Sequence, residues 1–214
     1  MLSLLGLFVL TLIKAITRRS GGWIAGAIIS GVLSLGLVGG GVVVGVKAFR
    51  DALSGKDEAV KRVASDDSAV SLEVPKSWKP HPGLNPESVL SFSNPLREQY
   101  VIVIREERET FDGKLEDYAR LVETNMAKAI GDTTEAGLEN LTIGAQPALQ
   151  RILRGKVDKV NIAFLLTCVE TEDAFCQVLT WTLASREQNG MPVLKKVVDS
   201  FQGGTRAKLR QPAK

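Results

Sequence analysis

The feature that most constrains this chain is an uncharged run of 24 residues that extends from Trp23 to Val46. A helix of that length rises about 36 Å, which is enough to cross a hydrocarbon core of about 30 Å. Only a helix satisfies its own backbone hydrogen bonds in lipid, so the run predicts a transmembrane helix at 23–46 despite its many glycines. Trp23 and Lys47, at its two ends, are residue types typical of the membrane interface.

A shorter apolar segment, residues 2–16, precedes this run and is interrupted by Lys14. The residues before the lysine are too few to span a bilayer comfortably. Two arrangements remain open: the segment pairs with the predicted transmembrane helix as a helical hairpin, or it lies in the interface. In either arrangement, residues 1–47 are interpreted as a membrane anchor.

Small residues recur four apart in two sets in this region, a spacing that lines a helix face with a groove for a second helix backbone. The members of this predicted helix-packing groove are Gly22, Gly26, Ser30, Ser34, Gly36 and Gly40. The second helix would be another copy of the chain or the segment at 2–16. The sequence therefore predicts contact with the membrane and with a protein partner, or self-association through the transmembrane helix.

Charge marks the boundary between this anchor and the rest of the chain. Residues 1–46 carry three charges, all basic, whereas every acidic residue lies at Asp51 or later. The net charge is only +3, and no aromatic residues are interleaved with the basic clusters, so nucleic-acid binding is not expected. We interpret 48–67 as a charged linker, 68–202 as a folded domain and 203–214 as a disordered basic tail.

Basic residues on the two sides of the run give opposite predictions of sidedness. Those between the two apolar segments place the domain outside, if the positive-inside rule acts on that turn. The five that follow the run favour the inside, and they are Lys47, Arg50, Lys56, Lys61 and Arg62. We expect a bacterial inner-membrane protein whose soluble domain faces the periplasm.

The folded domain shows strand and helix periodicities in an order typical of an α+β protein. Alternating apolar residues predict a strand at Val70–Val74, and Asn94-Pro95 predicts a hairpin turn. The run Tyr100–Ile104 is apolar on both faces, which predicts a central strand. The later elements are predicted as a helix at 115–130, three strands at about 148–157, 160–170 and 175–184, and a helix with the apolar stripe Leu194, Val197, Val198 and Phe201. This order predicts an antiparallel sheet flanked by helices.

Four stretches of the domain resemble PsbP-like domains. They are VSLEVPKSW at 70–78, SVLSFSNPLREQYVIVI at 88–104, FCQVLTWTLAS at 175–185 and LKKVVDSF at 194–201. Among bacterial members the arrangement is most similar to DcrB-like periplasmic proteins, although the chain has no lipid-attachment cysteine near its N-terminus. The resemblance covers about residues 69–202. It implies an α/β/α sandwich around an antiparallel sheet and an accessory or scaffolding role.

Few side chains in the sequence suggest catalysis. The single histidine, His81, lies in a proline-rich stretch, and one histidine without clustered cysteines or acids cannot complete a zinc site. The charged string at 105–110 follows a buried strand and is interpreted as a solvated strand end. We therefore expect no catalytic residue, no metal site and no cofactor, and we predict that the chain is not an enzyme.

Cys168 and Cys176 flank a predicted hairpin turn near Thr171–Asp173. A three-residue loop would place them opposite each other, within reach of a disulfide. A two-residue loop would place them on opposite faces of the sheet and exclude the bond. The alternative is a pair of buried free thiols.

These observations favour a membrane-anchored, non-catalytic accessory or assembly protein that acts through protein–protein contacts. A second interpretation is a small-ligand-binding or envelope-sensing module with a pocket between sheet and helix.

Overall fold

The computed structural model describes residues 58–135, 137–157 and 159–204. The predicted anchor at 1–47 and most of the predicted tail lie outside the described residues. In chain order the elements are β1 (Val60–Ala64), β2 (Val70–Pro75), β3 (Lys79–Pro80), β4 (Leu90–Asn94), β5 (Gln99–Glu107), α1 (Leu115–Ala129), β6 (Gly131–Glu135), β7 (Glu139–Ile143), β8 (Gln146–Val157), β9 (Val160–Glu170), β10 (Ala174–Leu183), α2 (Glu187–Asp199) and β11 (Gln202–Gly203). Short 3₁₀ turns at Arg108–Thr110 and Ala184–Arg186 follow β5 and β10.

Eight of the strands form one antiparallel sheet in the order β3-β4-β5-β10-β9-β8-β6, with β7 also paired to β8. The predicted central position of Tyr100–Ile104 is confirmed, because β5 lies between β4 and β10 and is covered on both sides. Val101 and Val103 face one hydrophobic cluster, and Ile102 and Ile104 face another. Each fully buried side chain of this kind stabilises the fold by about 1.5–3 kcal/mol.

Helix α1 covers one face of this sheet, which we call the first face. Its buried residues recur every three or four positions, so that they form a single apolar stripe: Leu115, Tyr118, Ala119, Val122 and Met126. The stripe packs on strands β8 and β9. An aromatic cluster lies at one end of this layer, where Tyr118 stacks on Phe175 with ring centroids 4.7 Å apart and Phe111 packs edge-on against both.

Helix α2 and a small three-stranded sheet cover the opposite side, the second face. The small sheet has the order β1-β2-β11 and is antiparallel throughout. The apolar stripe of α2 packs against β2, β5, β9 and β10, together with Trp78, which is fully buried just after β2. The chain is therefore an α+β domain with one helix on each face of an antiparallel sheet, as the sequence predicts.

Several short strands lie where the sequence analysis predicts none, among them β1, β7 and β11. Strand β1 falls inside the predicted linker at 48–67, and its half-exposed, basic sequence hides the strand pattern. Strand β7 lies between the predicted helix at 115–130 and the strand predicted at about 148–157, and β11 crosses the predicted boundary between domain and tail. The linker and tail predictions are therefore wrong for these segments. Strand β11 is held by β2, a partner distant in sequence, whereas β1 and β7 pair with the next strand of the chain but are too short and too exposed to show a clear strand period.

Candidate functional site

The disulfide alternative is wrong in this structure, and both cysteines are free and buried. The turn between β9 and β10 has two residues, since the Thr171 N–H donates to the Ala174 carbonyl over 2.8 Å. This register sets Cys168 opposite Gln177 and Cys176 opposite Val169. Cys168 therefore points into the first face and Cys176 into the second. Burial raises the pKa of both thiols, that of Cys176 to about 12.

The other predicted site residues divide between described and undescribed parts of the chain. The predicted helix-packing residues from Gly22 to Gly40 lie outside the described residues. Within the described ranges, no helix is both long and apolar enough to cross a bilayer, and no three potential ligands among His, Cys, Asp and Glu come together as a metal site. His81 is half-buried, and its Nδ1 lies 2.9 Å from Ser93 Oγ.

The charged string at 105–110 is more ordered than the solvated strand end that the sequence analysis expects. The Arg105 side chain is almost fully buried between Glu107 and Asp173, and its distance to the Asp173 carboxylate is 2.8 Å. Burial opposes its charge, but these two carboxylates outweigh that effect and raise the pKa of Arg105. Arg108 pairs with Glu170 and lies over the Phe175 ring, 5.2 Å from its centroid.

The first face contains one buried polar network, and its members are hydrogen-bonded to one another. The Tyr118 hydroxyl donates to the Glu106 carboxylate and accepts a hydrogen bond from Gln177 Nε2 over 2.9 Å. Burial, with the neighbouring Glu106, raises the pKa of Tyr118 far above its ordinary value. The phenol therefore stays protonated and serves as a donor, which is a structural role.

The second face contains buried polar atoms of a different kind. Trp78 Nε1, Gln99 Oε1, Thr180 Oγ1 and Thr182 Oγ1 make no hydrogen bond with any residue in the described part of the chain. All four residues are almost completely buried, with exposed fractions of at most 3%. Buried polar groups without a partner are rare, and each such group costs about 1–3 kcal/mol.

Strand register brings at least three of these atoms into one patch, which we call the polar row. Thr180 pairs with Val101, and Gln99 precedes Val101 by two residues, so Gln99 shares its face. Thr182 follows Thr180 by two residues on the same face. Trp78 belongs to the hydrophobic cluster on that face. Helix α2 approaches the row through Gly190, where a Cβ atom would lie 3.0 Å from the Thr182 side chain.

The two ends of the sheet differ in charge. At the end where the described chain begins, Glu58 pairs with Arg97 over 2.5 Å, the Lys76 N–H bonds to Ala59, and Arg186 donates to the Leu96 carbonyl. The N-terminal face at this end carries Val60, Lys76, Lys79, Leu96, Arg97 and Arg186, together with the half-buried carboxylates Glu58 and Glu98. Burial opposes ionisation of Glu58, but hydrogen bonds from Ser77 and Arg97 outweigh it and lower the pKa of Glu58.

Acidic residues dominate the opposite end, where β5 and β9 finish and the β9–β10 turn lies. Gly203 packs against Thr171 of that turn, so the described chain also ends there. This acidic end carries Asp66, Asp67, Glu107, Glu109, Asp112, Glu170, Glu172 and Asp173. Residues 58–204 hold 17 basic and 22 acidic residues, a net charge of −5, whereas the flanking segments are both basic.

Sequence reasoning misses both the polar row and the N-terminal face. In the sequence, the residues of the polar row look like ordinary core or surface residues. Only the strand order shows that they are neighbours. The basic residues of the N-terminal face come from three separate segments of the chain, at 76–79, 97 and 186. Only the segregation of charge between domain and flanks is visible in the sequence itself.

No family model matches the sequence, and no curated protein matches it either. Solved structures do match. The cyanobacterial PsbP protein CyanoP from Synechocystis is 16% identical with a TM-score of 0.52, covering 68% of this chain and 92% of its own. LpqN of Mycobacterium tuberculosis, involved in cell envelope biogenesis, is 13% identical with a TM-score of 0.51, covering 69% of this chain and 92% of its own.

The Ran-binding protein Mog1p of Saccharomyces cerevisiae is also similar, at 13% identity and a TM-score of 0.53. The match covers 69% of this chain and 96% of Mog1p. At such low identity the likeness concerns the fold, and it agrees with the resemblance carried by the four sequence stretches. The chain therefore has the PsbP-like fold.

Proposed function

We propose that the protein is a membrane-anchored, non-catalytic accessory or assembly protein, with its domain in the bacterial periplasm, that acts through protein–protein contacts. The observation that carries the proposal is the position of the first described residue, Glu58, relative to the sheet. The predicted anchor leads into one end of the domain, and β9, with 11 residues, extends about 35 Å towards the other. The acidic end thus faces away from the predicted attachment, where a partner protein can reach it.

The fixed arrangement of charged side chains at the acidic end supports this role. Its arginines are fixed by carboxylates from other elements, so the charged surface is held in one arrangement before any partner binds. Electrostatic complementarity of that kind steers association and selects partners more than it adds affinity. Two proteins with this fold have names that agree with such a role, since Mog1p is a Ran-binding protein and LpqN takes part in envelope biogenesis.

Co-purification of the full chain in mild detergent, followed by mass spectrometry, tests the proposal. We expect specific partners that are lost when the acidic end is reversed by Glu109→Lys with Glu172→Lys. The matched control reverses two exposed carboxylates elsewhere, Glu87→Lys with Glu139→Lys, and keeps the partners. Loss through Gly26→Leu with Gly40→Leu instead would assign the contact to the predicted helix-packing groove. A full chain that recovers no partner in any form contradicts the proposal.

A reporter fused after Lys214 tests the proposed location. Alkaline phosphatase is active only outside the cytoplasm, so we expect activity from that fusion. Fluorescence of a cytoplasmic reporter, with no phosphatase activity, would place the domain inside and contradict a periplasmic location.

The polar row favours a second candidate function, the binding of a small hydrogen-bonding ligand between the second face and α2. Its atoms include donors from Trp78 and the threonines and an acceptor from Gln99, which suits a neutral polar molecule. A ligand-dependent rise in the melting temperature of the full chain is the expected readout. Gly190→Ala presses a Cβ atom against Thr182 and should abolish that rise, whereas Gly137→Ala, with no neighbouring atom within 4 Å, should keep it.

A further inference from the structure

We propose that the N-terminal face rests on the anionic headgroups of the bilayer that holds the predicted anchor. This inference depends on the proposed membrane attachment and adds an orientation and a lipid partner to it. The face combines basic side chains with two exposed apolar ones, Leu96 at 65% exposure and Val60 at 50%. Apolar side chains among basic ones are typical of surfaces that lie in a membrane interface.

The length of chain between anchor and domain keeps this face near the bilayer. The predicted transmembrane helix ends at Val46, and the described domain begins at Glu58. The intervening residues reach at most about 40 Å when fully extended. Since the chain enters the domain at the N-terminal face, that face is the part held closest to the headgroups. The tether therefore gives the bilayer headgroups a high effective concentration at the N-terminal face. Only a modest attraction between that face and the headgroups is then needed to hold the domain in this orientation.

Charge then selects the orientation. The domain as a whole is acidic, so its net charge gives no attraction to an anionic surface. At physiological ionic strength, however, charges act over about 8 Å, much less than the length of about 35 Å that separates the two ends. A bilayer therefore interacts only with the end nearest to it. Lys76, Lys79 and Arg186 attract anionic headgroups, whereas the acidic end is repelled.

The two native cysteines make this orientation easy to measure. Both are buried, and burial raises the pKa of each thiol, so neither competes for a thiol-reactive probe in the folded protein. A fluorophore placed by Leu96→Cys reports on the N-terminal face. The matched position is Glu109→Cys, which is exposed at the acidic end.

Each labelled full chain is reconstituted in nanodiscs that contain phosphatidylcholine alone or mixed with phosphatidylglycerol, with a nitroxide quencher on the lipid headgroup. With the anionic lipid, we expect quenching at position 96 to exceed that at position 109 by about threefold or more. The excess should shrink in 1 M salt and in the variant Lys76→Glu with Lys79→Glu, because both remove the attraction.

The outcomes separate this inference from the membrane attachment itself. Equal quenching at the two positions, in a chain that incorporates into nanodiscs, contradicts the proposed orientation but not the predicted membrane anchor. An excess that persists unchanged in phosphatidylcholine alone overturns the role of anionic lipid. A full chain that fails to incorporate at all overturns the anchor, and the orientation with it.

Discussion

Two regions of the large sheet differ in how their buried polar groups are hydrogen-bonded, the Tyr118 network on the first face and the polar row on the second. On the first face, beneath α1, Glu106, Tyr118 and Gln177 satisfy one another inside an aromatic cluster. On the second face, beneath α2, the polar row has donors and acceptors without partners in the described part of the chain. The contrast teaches that the Tyr118 network is closed by its own side chains, whereas the polar row has unused donors and acceptors within the described part of the chain.

The largest effect should come from Tyr118→Phe on the first face. It removes a buried hydroxyl and leaves Glu106 and Gln177 without their shared partner, which should lower the free energy of unfolding by about 2–3 kcal/mol. The other tyrosine is a matched control, because Tyr100 is half-buried and bonds to the Glu98 carboxylate at the surface. Tyr100→Phe should cost about 0.5 kcal/mol or less, measured by urea denaturation. Equal losses would show that the first-face network contributes nothing special.

Gly190→Ala should lower the free energy of unfolding by up to about 2 kcal/mol. Alanine favours a helix by about 1 kcal/mol over glycine, but its Cβ would press on Thr182, and overpacking costs about 1–3 kcal/mol. Urea denaturation of Gly190→Ala and of the unobstructed Gly137→Ala gives the comparison. A stabilised Gly190→Ala variant would show that α2 moves freely over the polar row.

Thr182→Val tests whether the polar row is satisfied by a bound molecule. If water or a ligand bonds to this hydroxyl, its loss should lower the free energy of unfolding by about 1 kcal/mol. Thr167→Val provides the standard, because Thr167 is equally buried on the same face and accepts a hydrogen bond of 2.9 Å from Gln150. We expect similar losses at both sites in thermal and urea unfolding. A gain in stability at Thr182 would mean that no molecule bonds there.

The smallest effect concerns the segment that brings Trp78 onto the second face. Glu58 holds this segment by accepting hydrogen bonds from the Ser77 N–H and from Arg97. Glu58→Gln should lower the free energy of unfolding by about 1 kcal/mol or less at pH 7. Because folding lowers the pKa of Glu58, its contribution is present above the ordinary pKa of 4.5 and is lost as the pH falls through the folded value. Unfolding of both proteins between pH 7 and pH 3 should therefore converge, and a constant difference would contradict this assignment.

Local periodicity in the sequence predicts much of this architecture. Helix α1 is predictable because its buried residues repeat at the helix period. Residues 100–104 and the long strands β9 and β10 are predictable because they are nearly continuous apolar runs, which indicate strands covered on both faces. The short strands β1, β7 and β11 are not, because β1 and β7 are largely exposed and β11 has only two residues and a partner distant in sequence. The same limit applies to the candidate sites. One residue more or fewer in the turn between Cys168 and Cys176 decides whether they share a face of the sheet. The polar row arises only because β5 lies beside β10.

The two-residue turn at Glu172-Asp173 has a consequence for where this domain is able to mature. Cys168 and Cys176 lie on opposite sides of one sheet, so they form no disulfide with each other in the folded domain. Folding of the described domain therefore does not depend on oxidation of this cysteine pair, and the two thiols serve only as small buried side chains in its two cores.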